Sequence, residues 1–178
     1  MKSLNNQTMT YQTRVFRIAL FSALAAILQI LESYISLPLP FFRIGLANAI
    51  ILLFVIKKDY LTAFFITLNK SLLGSFFTGK LFSVVFLLSL SGSITAVMLM
   101  ILMFQLCHKL ISVNMISISG AVVNNLVQYF LFIQLYDKTT DFSLSYISSI
   151  IIIFSIIAGW LIALTVYHLE KLTANLKF

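Results

Sequence analysis

Lys70 stands inside an apolar stretch, Tyr60 to Phe77, next to Asn69. Burying a lysine charge in a bilayer costs on the order of 3 kcal/mol on insertion scales unless the group is paired or faces a watery cavity. The side chain is therefore expected to point inward. Glu32, at the end of the first apolar run, is either a structural partner for Lys70 or a direct contact for a ligand's donor group. Asn48 lies just after a turn, and Asn125 and Gln128 sit three apart on one helical face. Arg43 and Lys80 mark the ends of two apolar runs. Counted along the helices, these groups fall at overlapping depths, and polar groups scattered against lipid would be costly, so a shared cavity is the economical arrangement. The candidate substrate-binding set is Glu32, Arg43, Asn48, Lys70, Lys80, Asn125 and Gln128. Its net positive charge favours an anionic ligand.

The elements that must position these groups are membrane helices. The 178 residues are 61% hydrophobic and 10% charged, against about half and a quarter in soluble domains. Long apolar runs with short basic or polar connections are the pattern of helical spans rather than of barrel strands. We expect an all-α membrane protein, a compact bundle of six transmembrane helices over residues 14–172, between a polar N-terminal tail (1–13) and a short C-terminal tail (173–178). The second span, about Arg43 to Ile56, is too short to cross unaided and needs sheltering neighbours. Before it, Pro38 and Pro40, the two prolines of the sequence, stop the first helix and hold a rigid turn. The turn leads to Arg43, Gly45 and Asn48. It either presents donors to a ligand or simply joins two helices.

With both termini in the cytoplasm, Lys2, Arg14, Arg17, Lys57, Lys58, Lys109, Lys171 and Lys177 fall inside and Arg43, Lys80 and Lys138 outside, as the positive-inside rule requires. The cavity then opens outward. Arg14, Arg17 and the following apolar run resemble a signal peptide, but Glu32 and Tyr34 follow in place of a cleavage site, and the helix is expected to be retained. Within it, Ala19 and Ala23, and Ser22 and Ala26, are small residues four apart. Such faces let a second helix approach closely, either inside the bundle or from a partner protein.

Several chemistries lack their residues. One cysteine, Cys107, makes neither a disulfide framework nor a cysteine metal site, and no cofactor is expected. Met98, Met100 and Met103 read as adaptable packing. His108 has no second ligand at metal spacing. Nucleic acid is excluded for want of a soluble basic domain. There is no Gly-rich Lys-Ser/Thr phosphate loop for ATP. Asp59, Asp137 and Asp141 are scattered over loops and form no cluster to hold magnesium on a prenyl diphosphate. The chain alone is thus not expected to be an enzyme.

Several short motifs follow one another along the chain: Ile18-Ala-Leu-Phe-Ser-Ala-Leu24 with Glu32-Ser33, Pro38-Leu-Pro40 leading to Gly45-Leu-Ala-Asn48, Lys70-Ser-Leu-Leu-Gly-Ser75 with Gly79, Ser89-Leu-Ser-Gly92, and Gly120-Ala121 with Asn125 and Gln128. Their order resembles the family described as heptaprenyl diphosphate synthase component I, or Gx transporter family, grouped with substrate-binding subunits of energy-coupling-factor transporters. Two positions depart from the family pattern, which has arginine at Lys70 and histidine at Asn124. The resemblance implies a six-helix subunit that captures a small molecule from outside and works with a transmembrane coupling (T) subunit and two cytoplasmic ATPase subunits. It also implies that the face at Ala19, Ser22, Ala23 and Ala26 docks on the coupling subunit. It further suggests a flavin-like or other small anionic ligand, such as a vitamin or isoprenoid precursor. The alternative is a non-catalytic membrane subunit of a polyprenyl diphosphate synthase. A third possibility is an assembly factor without a ligand, its amides only joining helices.

Overall fold

The computed structural model describes residues 2–34, 44–107, 110–136 and 141–174, with side chains over 12–34, 44–106, 110–135 and 148–171. Pro38, Pro40 and Arg43 lie outside them, as do His108, Lys109 and Asp137. Six helices follow one another: α1 (Lys2–Tyr34), α2 (Leu46–Ile56), α3 (Tyr60–Phe77), α4 (Val84–Cys107), α5 (Val113–Tyr136) and α6 (Asp141–Ala174). No strand occurs among the described residues. Four helices contain segments long and apolar enough to cross a membrane: Gln12–Tyr34, Val84–Leu106, Val113–Leu135 and Ser148–Lys171. Helix α1 starts at Lys2, so the segment read as a polar tail continues the first span as helix.

The distribution of polarity is inverted relative to a soluble protein. Leu20, Leu24, Ile27 and Leu31 on α1, and Ile153, Ile157, Trp160 and Leu164 on α6, are exposed, while Glu32, Lys70, Asn124, Asn125 and Gln128 are buried. In water such apolar faces would be association surfaces. Around a helical bundle they are the faces that meet lipid. This is a membrane protein.

Helix α2 is too short to cross. Its 11 residues rise about 16 Å, roughly half of a ~30 Å hydrocarbon core. Every side chain from Ala47 to Val55 is buried, as a helix apolar on all sides requires. It packs against α1, α3, α4 and α6, while α1 lies on α3, α3 on α4, α4 on α5 and α5 on α6. The half-length helix thus fills the middle of an arc of longer ones. Its core partners include Ala25, Ile66, Val97 and Ile162, and Phe21 meets Phe54 edge-on with ring centres 4.9 Å apart.

Its C-terminus closes in a left-handed cap: Lys58 has φ 61°, and Asp59 N–H donates to Phe54 O at 3.0 Å and Lys58 N–H to Val55 O at 3.0 Å. Asp59 then caps α3, accepting from Thr62 Oγ1 at 2.8 Å and from Thr62 N–H at 3.4 Å. The same carboxylate takes Arg14 Nη2 at 2.9 Å and Arg17 Nη2 at 3.0 Å, clamping α1 to the α2–α3 turn. Burial pushes the Asp59 carboxyl up, but hydrogen bonds from Arg14 and Thr62 and the Arg14 charge outweigh it and hold the pKa below its ordinary value. A carboxyl depressed on folding contributes stability above its unfolded pKa and loses it as pH falls through the folded one. The thermal midpoint in detergent is expected to fall below about pH 4 by an increment that Asp59→Asn lacks. At neutral pH that variant should be less stable by about 1 kcal/mol, since both arginines are partly solvated.

Candidate functional site: a polar cavity at the start of the half-length helix

Because α2 stops halfway, its N-terminus opens inside the bundle, where the first N–H groups of a helix lack intrahelical acceptors. Gly45 precedes it at φ 85°, a conformation suited to glycine. A Cβ there would lie 3.0 Å from Asn48 Nδ2 and 3.3 Å from Ile162 Cδ1. No side chain of α2 caps its own start. The cap comes from α1: Leu46 N–H donates to Glu32 Oε1, placing a carboxylate at the positive end of the helix dipole.

One turn on, Asn48 Oδ1 accepts from Lys70 Nζ of α3 at 2.6 Å. Lys70 is 3% exposed, so the inward orientation expected for it is found. Around this pair lies a cavity. Helix α1 lines it with Gln29 and Glu32; the start of α2 with Gly45, Ala47 and Asn48; α3 with Lys70; α4 with Ser89 and Ser93; and α5 with Asn124 and Gln128. The unfilled space, counted out to the open side, is about 240 Å3, and inside it is wide enough for about one water. Lys70 lies about 15 Å along α3 from its start, and Asn48 about 12 Å from the end of α2 at the same side, which sets the cavity near mid-core.

Two polar atoms here have no hydrogen-bond partner among the described residues, Asn124 Oδ1 and Gln128 Nε2. Their residues are 3% and 2% exposed. Most buried polar groups are satisfied, so two open ones lining the same cavity are informative. Elsewhere, Thr67 Oγ1 is met locally, donating to Ala63 O at 2.8 Å, whereas the buried Ser71 Oγ of α3 also has no partner among the described residues.

Of the expected set, Glu32, Asn48, Lys70 and Gln128 converge. Asn125 does not, and that expectation is corrected: its Nδ2 donates to Ser155 Oγ of α6 at 2.9 Å, so it joins two helices. Residues three apart differ by about 60° around a helix, and here that angle divides the cavity from the α5–α6 seam. Lys80 is also corrected. It is exposed in the α3–α4 turn, its N–H on Ser75 O at 2.9 Å, and it does not line the cavity. Arg43 lies outside the described residues.

The small-residue pairs separate. Ser22 and Ala26 are 1% and 3% exposed, and Ser22 Oγ accepts from Asn69 Nδ2 of α3 at 3.4 Å; this pair packs inside the molecule, which corrects its expected place on a docking surface. Ala19 and Ala23 remain exposed.

Gln29, Ser89, Ser93 and Asn124 were missing from the sequence-derived set. Gln29 precedes Glu32 by three and Ser89 precedes Ser93 by four, spacings that share a helix face, so a face-sharing rule applied to the known polar residues would have found them. Asn124 needed the packing of α5.

A family model described as heptaprenyl diphosphate synthase component I matches residues 21–169. The chain belongs to this family. The matched span includes all the cavity-lining residues. No curated protein and no solved structure matches the chain.

Proposed function

We propose that this member of the component I family is a membrane-embedded substrate-binding subunit, working with a transmembrane coupling subunit and two cytoplasmic ATPase subunits of an energy-coupling-factor importer. The observation that carries this reading is the polar cavity at the start of α2, with two buried amide atoms left open to it. A helix broken off at mid-membrane, with its N-terminus facing a polar pocket, is how many secondary transporters hold substrates. The space is smaller than the roughly 300 Å3 at which sites for drug-sized ligands begin. It suits a small metabolite, or one end of a larger one, and not a polyprenyl chain. Lys70 and Arg43 draw its anionic group, consistent with a flavin-like compound or a vitamin or isoprenoid precursor. Both termini face the cytoplasm, and the cavity opens to the outer side. Because the interior admits little more than a water, the lining side chains must part for the ligand.

The test is to purify the chain from its native membrane, identify small molecules released on denaturation, and measure their uptake with and without the coupling and ATPase subunits. Absence of any retained molecule and of partner-dependent uptake would sink the proposal. The family's description favours a second reading, a non-catalytic membrane subunit of a polyprenyl diphosphate synthase, for which co-purification of a soluble synthase subunit is the deciding result.

Docking on the coupling subunit is assigned to the exposed pair Ala19 and Ala23. Leucine at both positions is expected to hold a partner helix away and abolish capture of the coupling subunit in a pull-down. Ligand binding by the isolated chain should change less than about two-fold, since additivity holds for distant sites. Loss of ligand binding with capture intact would place the docking face elsewhere.

A further inference from the structure

We infer that Asn124 and Gln128 form the recognition end of the cavity and read an amide-type edge, an N–H beside a C=O, on an uncharged part of the ligand. This rests on the reading of the cavity as a substrate site.

The two residues are four apart on α5, so their side chains lie one turn apart on the same face. Asn124 Oδ1 is an open acceptor and Gln128 Nε2 an open donor. An N–H and C=O carried side by side on one molecule answer both. The charged groups across the cavity are already engaged in this state, Lys70 with Asn48 Oδ1 and Glu32 with Leu46 N–H. The open hydrogen-bonding capacity on α5 is therefore neutral, and a carboxylate or phosphate alone would meet only half of it. Buried groups left unmatched are what allow a site to reject an analogue lacking the complementary group.

Helix α4 holds the pair in place. A Cβ on Gly92 would lie 2.8 Å from Asn124 Oδ1, from the Asn124 carbonyl oxygen and from Gln128 Cγ. The bare backbone of Gly92 thus lets α4 close against both residues and limits the rotamers open to the amides. Ser89 and Ser93, on either side of Gly92, line the same wall.

The test uses the full chain in detergent with three flat probes. Uracil carries N–H groups flanked by C=O; 1,3-dimethyluracil keeps the ring and carbonyls without an N–H; benzoate is an anion without a donor. Binding is read by saturation-transfer NMR and competition. Uracil is expected to bind about ten-fold more tightly than 1,3-dimethyluracil, the factor for one well-made neutral hydrogen bond, because it alone offers an N–H to Asn124 Oδ1, and the preference should vanish in Asn124→Leu. Asn124→Ala serves if the leucine variant does not fold, and should also lose the preference. Equal binding of the two uracils, binding of benzoate alone, no binding of any probe, or a preference that survives both variants would overturn the inference. A co-purified metabolite without an N–H/C=O edge would overturn it while leaving the substrate-binding function standing. The function itself fails on the absence of any retained molecule and of partner-dependent uptake.

Discussion

Replacing Lys70 by methionine is expected to destabilise the protein in detergent by about 3 kcal/mol and to eliminate ligand binding. Methionine keeps most of the stem, so the loss isolates the ammonium. That group is buried and donates to Asn48 Oδ1 at 2.6 Å, and among the described cavity-lining residues it is the one cation beside the Glu32 carboxylate. Removing one member of a buried charged set leaves the other uncompensated, which costs more than the set contributes when complete. Asn48 also loses a charged donor. Glu32→Gln alone should destabilise by a similar order, because the carboxylate that caps α2 is lost. The double variant should recover part of the sum, with a coupling of roughly 1–3 kcal/mol. Denaturant unfolding of the four proteins measures this cycle. Strict additivity would mean that Glu32 and Lys70 serve the cavity independently.

Gly159→Ala is expected to be almost as damaging far from any ligand. A Cβ there would lie 2.5 Å from Ile118 Cα and 3.0 Å from Ile118 N. Both atoms are backbone, so no rotamer change relieves the clash and α5 must move away from α6. The movement would break the hydrogen bond from Ser117 Oγ to Gly159 O, 2.7 Å long. It would also strain Asn125 Nδ2 on Ser155 Oγ one turn along. Overpacking of this kind costs about 3 kcal/mol at the upper end of its usual range. The expected result is a large drop in thermal midpoint or loss of monodisperse protein in detergent. A change of less than about 0.5 kcal/mol would show that the α5–α6 seam yields more easily than its geometry implies.

Gly159 also illustrates what a chain of this kind conceals. In the sequence it is one glycine in an almost wholly apolar run, and nothing local distinguishes it from Gly120, whose Cβ would have the flexible side chain of Met100 as its nearest neighbour. Which glycine touches backbone is decided by how α5 lies on α6.

Residue order alone established the solvent and the architecture, because a bilayer constrains each segment separately: the apolar runs had to be helices, and Lys70 had to turn inward whatever its neighbours. It also brought Glu32, Asn48, Lys70 and Gln128 to one depth, since rise per residue converts position into height. It could not determine angle around the helix. Asn124 and Asn125 are identical in type and adjacent, yet about 100° apart on α5; packing on α4 and α6 turns the first to the cavity and the second to Ser155. The pairs Ala19 with Ala23 and Ser22 with Ala26 share one spacing, and only the approach of α3 buries the second pair and leaves the first exposed. Height is a property of a single helix and is written along it, whereas the direction a side chain faces depends on contacts with helices distant in sequence, which the tertiary structure alone supplies.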